Sequence, residues 1–163
     1  DAGQADALNV AAPVLVLEAG AGSVGVEWML ADPSLRAVAV EARPDRAARI
    51  RRNAAAFGVP DLRVVEGTAP DALPGLPAPD AVFVGGGVSA PGVLDAAVEA
   101  LRPGGRLVAN AVTLESEMLL ISRHLAAGGE LTRIQLGRAA PLAGLHGWRP
   151  AMPVVQWRWE KPS

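Results

Sequence analysis

Short apolar runs and helix-spaced apolar residues take turns along this chain, and that alternation limits its fold more than any other property. Val14–Leu17, Ala37–Val40, Leu62–Glu66, Ala81–Val84 and Arg106–Ala111 read as strands. Between them lie helical patterns: Val26, Met29 and Leu30; Ala47, Ile50, Ala54 and Phe57 after Pro44; Pro91–Leu101; and Leu114, Met118, Ile121 and Leu125 on one face. Strands made almost wholly of apolar residues are buried on both sides, so five such units predict an α/β fold with a mostly parallel sheet covered on both faces. The pattern then breaks. Leu131–Gly137 and Val154–Glu160 carry no helix between them, only a loop rich in Gly and Pro. Val155, Trp157 and Trp159 alternate with Gln156, Arg158 and Glu160, the period of a strand with one buried face. These last two segments predict an antiparallel pair at one edge, seven strands in all.

Ligands of such sheets bind beyond the carboxyl ends of the strands, so residues there are the candidates for chemistry. The first strand ends in Glu18, and Gly20, Gly22 and Gly25 follow at G-x-G-x-x-G spacing before a helix. Glycines there allow a sharp turn and let a ligand approach bare backbone. Glu41 ends the second strand, where a carboxylate accepts hydrogen bonds from both ribose hydroxyls of an adenosine group. Glu66-Gly67-Thr68-Ala69-Pro70 follows the third strand, where adenine would lie; taken alone, Thr68 is better suited to cap a short Pro70–Leu73 helix. Gly85-Gly86-Gly87 ends the fourth, as a flexible loop or as room for a bulky substrate. Asn110, Thr113, Glu115 and Glu117 flank the end of the fifth, the two acids also suiting the first turn of a helix. His146 and Arg149 lie in the late loop, where an Arg suits a substrate carboxylate or a subunit contact. His124 reads as an exposed helix residue.

What is missing narrows the chemistry. The 163 residues suffice for one domain, and the absence of cysteine excludes disulfides, thiolate metal sites and cysteine nucleophiles. A net charge of -2 gives no reason to expect nucleic acid. No apolar run is long enough for a membrane span, which fits a cytoplasmic protein. Asp1 in first position, rather than Met, points to part of a longer polypeptide. No Ser-His-Asp order, catalytic carboxylate pair or metal-ligand cluster stands out. The pattern favours a cofactor that supplies the reactive group while the protein positions the reactants.

Two cofactors suit the glycine loop, a nicotinamide dinucleotide or S-adenosylmethionine. Glu18-Ala19-Gly20-Ala21-Gly22 resembles the acid-x-G-x-G loop of class I methyltransferases, and Leu101-Arg102-Pro103-Gly104-Gly105-Arg106-Leu107-Val108 resembles the turn before their fifth strand. The antiparallel end of the sheet also resembles that class. Gly25-Val26-Glu27-Trp28, Glu66–Pro70, Pro79–Gly87, Asn110–Glu115 and the Pro141–Trp157 tail occur in an order similar to the decarboxylating precorrin C15-methyltransferase family of cobalamin biosynthesis. The likeness is greatest to the C-terminal half of its fused C5,15 members and runs from about Glu18 to Trp159.

The resemblance implies a class I, Rossmann-like methyltransferase domain across residues 1–163, S-adenosylmethionine as cofactor and a precorrin tetrapyrrole as substrate. It implies methylation at C15 with loss of carbon dioxide from the ring C acetate. It further implies a homotetramer and a methyltransferase domain fused upstream. Glu18, Gly20, Gly22, Glu41, Gly67, Thr68, Ala69 and Gly85 would hold the cofactor. Gly86, Gly87, Asn110 and Arg149 would face the substrate, with Glu115 or His146 handling a proton. Against the family's D-I-G-A-G-S-G-S-V run, Val24-Gly25-Val26-Glu27 comes two residues early if Glu18 takes the Asp position. The loop is therefore shortened, or Val16 falls at the acid position. Asp1–Pro13 is short for the family's N-terminal helix, and only Gly3-Gln4 matches its usual start.

Overall fold

The computed structural model describes residues 13–163, so the expectations for residues 1–12 lie outside it. In chain order the elements are β1 (Val14–Leu17), α1 (Ser23–Ala31), β2 (Ala37–Glu41), α2 (Pro44–Ala56), β3 (Arg63–Glu66), β4 (Ala81–Val84), α3 (Val93–Ala100), β5 (Arg106–Ala111) and α4 (Leu114–Ala127). The strands β6 (Glu130–Ile134), β7 (Gly137–Leu142), β8 (Leu145–Pro150) and β9 (Val154–Glu160) complete the chain. Seven strands form one sheet in the order β3-β2-β1-β4-β5-β9-β6. The first five run parallel; β9 is antiparallel to both of its neighbours.

Two cores result from the alternation of side chains across this sheet. On one face Leu15, Leu17, Val38, Val40, Val82, Val84, Leu107, Ala109 and Trp157 pack against α3 and α4. On the other, Val14, Val16, Ala37 and Ala39 pack beneath Val26 and Met29 of α1 and Ile50 and Ala54 of α2. Those two helices cover β1 to β3 and reach only the near side of β4, where Ala81 and Phe83 pack against the same core. Beside them a cavity of about 380 Å³ opens over β4 and β5, lined by Trp28, Phe83, Arg106, Val108 and Arg158 among others.

Four expectations need correction. The third unit has no helix: residues 67–80 cross from β3 to β4 through turns, and the anticipated Pro70–Leu73 helix is a single turn closed by Ala72 N–H on Thr68 O. Pro70, Pro74, Pro77 and Pro79 remove the N–H groups a helix would need. The Gly/Pro-rich late loop is a hairpin, β7 paired with β8, and Gly137 starts it rather than ending the preceding strand. Its two-residue turn has positive φ at Ala143 and Gly144, the geometry matching strand twist. The α4 stripe also faces outward. Leu120 is the buried contact to the core, while Leu114, Met118 and Leu125 are exposed. His124 is half-buried, with its Nδ1 enclosed and lacking a partner among the described residues.

Candidate functional site

The carboxyl ends of the strands bring one polar row onto the face that α1 and α2 only partly cover. Glu41 and Glu66 are register partners on β2 and β3. One residue beyond β1 and β4 come Glu18 and Gly85, anchored where Gly85 N–H donates to Leu17 O at 3.1 Å. Asn110 of β5 stands opposite Gln156 of β9, which stands opposite Thr132 of β6. The row thus crosses all seven strands as three acids, a bare glycine, two amides and a hydroxyl. It brings together Glu18, Glu41, Gly85 and Asn110 from the residues expected on sequence grounds.

Its acidic half is held tightly. Glu41 is only 1% exposed, and its oxygens accept from Gly20 N–H and Arg43 N–H, each at 3.0 Å. Gly67 N–H donates to Glu41 O, so the loop after β3 hangs on the same residue. Glu18 follows β1 directly, and residues 18–22 lead from it to α1. Its φ of +52° lies in the left-handed region that non-glycine residues rarely adopt. Its side chain runs along the triple glycine: a Cβ added at Gly87 would sit 3.0 Å from Glu18 Cγ. Burial first, and the Glu41 carboxylate second, push the Glu18 carboxyl above its usual range, while Arg46 pulls the other way.

The glycines divide into two kinds. Gly22 is structural, since a Cβ there would lie 2.8 Å from Ile50 Cγ2. Gly20 and Gly86 have open space, nothing nearer to an added Cβ than Glu18 atoms at 4.0 and 3.9 Å. Bare backbone at these two points, with a carboxylate between β1 and β2, fits an adenosine-bearing cofactor. An ionised carboxylate has about four acceptor positions and Glu41 uses two. Because Glu41 is buried, residues 18–22 must move for a ribose to reach it.

The other expected residues lie outside this row. Thr68 offers its backbone oxygen to Ala72, and Ala69 packs against the core. Glu115 is exposed in the first turn of α4. Thr113 caps that helix, and a hydroxyl chain from Thr113 through buried Ser116 to Ser89 ties it to the segment after the triple glycine. His146 and Arg149 sit on β8, exposed and away from the row, with Arg149 directly opposite Arg138. Two residues escaped sequence reading. Asn53 of α2 donates to Ala21 O at 2.9 Å and tethers the glycine loop. Gln156 donates from Nε2 to Asn110 Oδ1 at 3.0 Å. Its place in an alternating strand was visible, but the partner across β5 depends on register.

Residues 13–161 match the family model described as precorrin methyltransferase domain. A precorrin-6Y C(5,15)-methyltransferase (decarboxylating) of Sinorhizobium sp is 61% identical over 142 residues, 87% of this chain and 34% of that protein. A cobalt-precorrin-6B C(15)-methyltransferase (decarboxylating) of Salmonella typhimurium is 33% identical, covering 90% of this chain and 78% of that one. The crystal structure of the C-terminal domain of precorrin-6Y C5,15-methyltransferase from Rhodobacter capsulatus superposes with a TM-score of 0.86 at 44% identity, over 95% of this chain and 83% of that one. The chain therefore spans about a third of the Sinorhizobium relative, and its fold is that of the class I methyltransferases.

Proposed function

This chain belongs to the precorrin methyltransferase family, and we propose that it methylates a precorrin at C15 and decarboxylates its ring C acetate, in cobalamin biosynthesis. The observation that carries the proposal is the strand-end row, with carboxylates on one side of Gly85 and neutral amides on the other. Acids suit ribose hydroxyls, and neutral donors suit a substrate's peripheral carboxylates. S-adenosylmethionine, when bound, supplies an activated methyl group. Glu18, Gly20, Glu41, Gly67, Thr68, Ala69 and Gly85 would hold it, with Gly22 packing their loop against Ile50; Gly86, Gly87 and Asn110 would face the macrocycle.

Proton accounting gives the chain a further task. The meso carbon that gains a methyl loses a proton, and the acetate methylene that loses carbon dioxide gains one. Glu115, on the α4 turn beside the site, is the residue we assign to that transfer. His146 and Arg149 reach a substrate only if the hairpin folds toward it or a neighbouring copy presents them; Arg149 then binds a carboxylate.

The unit is one methyltransferase domain in a longer cytoplasmic protein with a second, upstream methyltransferase domain. Among the described residues no helix is long and apolar enough to cross a membrane. Leu114, Met118 and Leu125 of α4, with Leu142, Leu145 and Trp148 of the hairpin, support association into a homotetramer. Calorimetry with S-adenosylhomocysteine and NAD, followed by turnover of a precorrin monitored for one added methyl and released carbon dioxide, tests the whole reading. Micromolar S-adenosylhomocysteine binding and both products are expected. NAD binding alone would overturn it, and cofactor binding without turnover would leave a binding module.

A further inference from the structure

A primary amide presents nearly the same shape whether its oxygen or its nitrogen points one way, so its neighbours decide which end a ligand meets. Asn110 is such a group, half-buried at the end of β5 and next to the position of Gly85. Gln156 is the neighbour that meets it. With Gln156 Nε2 donating to Asn110 Oδ1 at 3.0 Å, the Asn110 oxygen is occupied and its Nδ2 is turned away. Among the described residues nothing accepts from that Nδ2. Gln156 is itself held in register between Asn110 and Thr132, because β9 lies between β5 and β6. The face they share carries no helix at this level: α1 and α2 pack over β1 to β3, and α3 and α4 lie on the reverse side.

We propose that Gln156 is a positioning residue for the substrate, fixing Asn110 so that its N–H groups point to the space over Gly85. This rests on the methyltransferase–decarboxylase reading above. The ligand class follows from the chemistry of the donors. Two neutral N–H groups orient a carboxylate without the strong ground-state stabilisation that a guanidinium gives. That suits a carboxylate that must give up its charge: the bond to the methylene breaks, carbon dioxide leaves, and the bonding pair stays on carbon to be protonated. A cation in the same place would stabilise the carboxylate more than the transition state and slow its loss. No Arg or Lys occupies the row from Glu66 to Thr132.

Gln156→Glu tests this directly, because an ionised Glu accepts only and must draw the Asn110 Nδ2 toward itself, leaving Asn110 Oδ1 to face the substrate. KM for the precorrin rises about tenfold or more, the worth of one reversed hydrogen bond, while the S-adenosylhomocysteine Kd stays within about twofold. As pH falls through the carboxyl range, the protonated Glu donates again and the variant's kcat/KM recovers toward wild type. Gln156→Leu removes the lock without a charge; its KM rises at every pH and does not recover, and thermal melting of both variants reports folding. If wild type turns over the precorrin and both folded variants match it within about twofold, the inference fails and the activity stands. If wild type methylates no precorrin, the functional reading fails and this inference with it.

Discussion

Glu41 is where local chemistry and function compete most directly. Its carboxylate holds the glycine loop through Gly20 and the start of α2 through Arg43, so it acts as a clasp in the protein without cofactor. Glu41→Gln turns one acceptor into a donor facing a backbone N–H. A loss of about 1–3 kcal/mol of stability is expected, read from denaturant melts. Weaker S-adenosylhomocysteine binding is expected too, by about tenfold in calorimetry. Glu18 behaves in the opposite sense. Its folded pKa is raised above the ordinary carboxyl value, so between the two values the folded state binds more protons than the unfolded, and stability falls as pH rises across that window. Glu18→Gln therefore melts at a higher temperature than wild type at pH 7, and its advantage disappears below about pH 4, where both forms are uncharged. Loss of the advantage at neutral rather than acidic pH would contradict the assignment.

Among the elements, the strands were the most legible. Ala81–Val84 and Arg106–Ala111 begin and end where their apolar runs do, because parallel strands buried on both faces leave few other residues to choose from. Gly67 and Gly85 were correctly placed at strand ends. That Gly22 serves packing while Gly20 stays open was not legible, since both follow an alanine in one short loop and only Ile50 of α2 separates them. The β7–β8 hairpin was missed for a similar reason: Pro141, Pro150 and several glycines read as loop, although Ala143-Gly144 between two leucines was a usable turn signal. The end of α3 depends on a residue far along the chain. Lys161 Nζ donates to Val98 O, Glu99 O and Leu101 O at 2.8–3.1 Å, closing carbonyls that the helix leaves open. Lys161→Met is expected to cost about 1–2 kcal/mol, seen as a fall in Tm of roughly 2–8 °C. No such contact can be found from sequence spacing, because it joins residues about sixty apart.

For the whole molecule, the outward stripe of α4 is the largest departure from what helical periodicity suggested. The same four residues were recognised as one face, but apolar spacing shows only that a face will be covered and not by what. Leu120, one residue off the stripe, turned out to be the inward contact. Met118→Lys with Leu125→Lys places two charges on that face and removes no core contact. If the proposed homotetramer uses this face, light scattering reports a smaller mass for the variant than for wild type, with Tm changed little in the dissociated species. An unchanged mass would place the assembly surface elsewhere.

The hairpin adds a dependence on time and dilution. Among the described residues β7 and β8 pair only with each other, their apolar side chains point to solvent, and Arg138 faces Arg149 across the pair. Two strands without a third surface are marginal in water, and like charges set opposite loosen them further. If the proposed homotetramer seats this hairpin on a neighbouring copy, its persistence belongs to that encounter more than to the fold of one copy. Amide exchange in residues 137–150 should accelerate as the protein is diluted, while β1 through β5 exchange at a constant rate. A cell holding few copies would then hold them with this arm frayed.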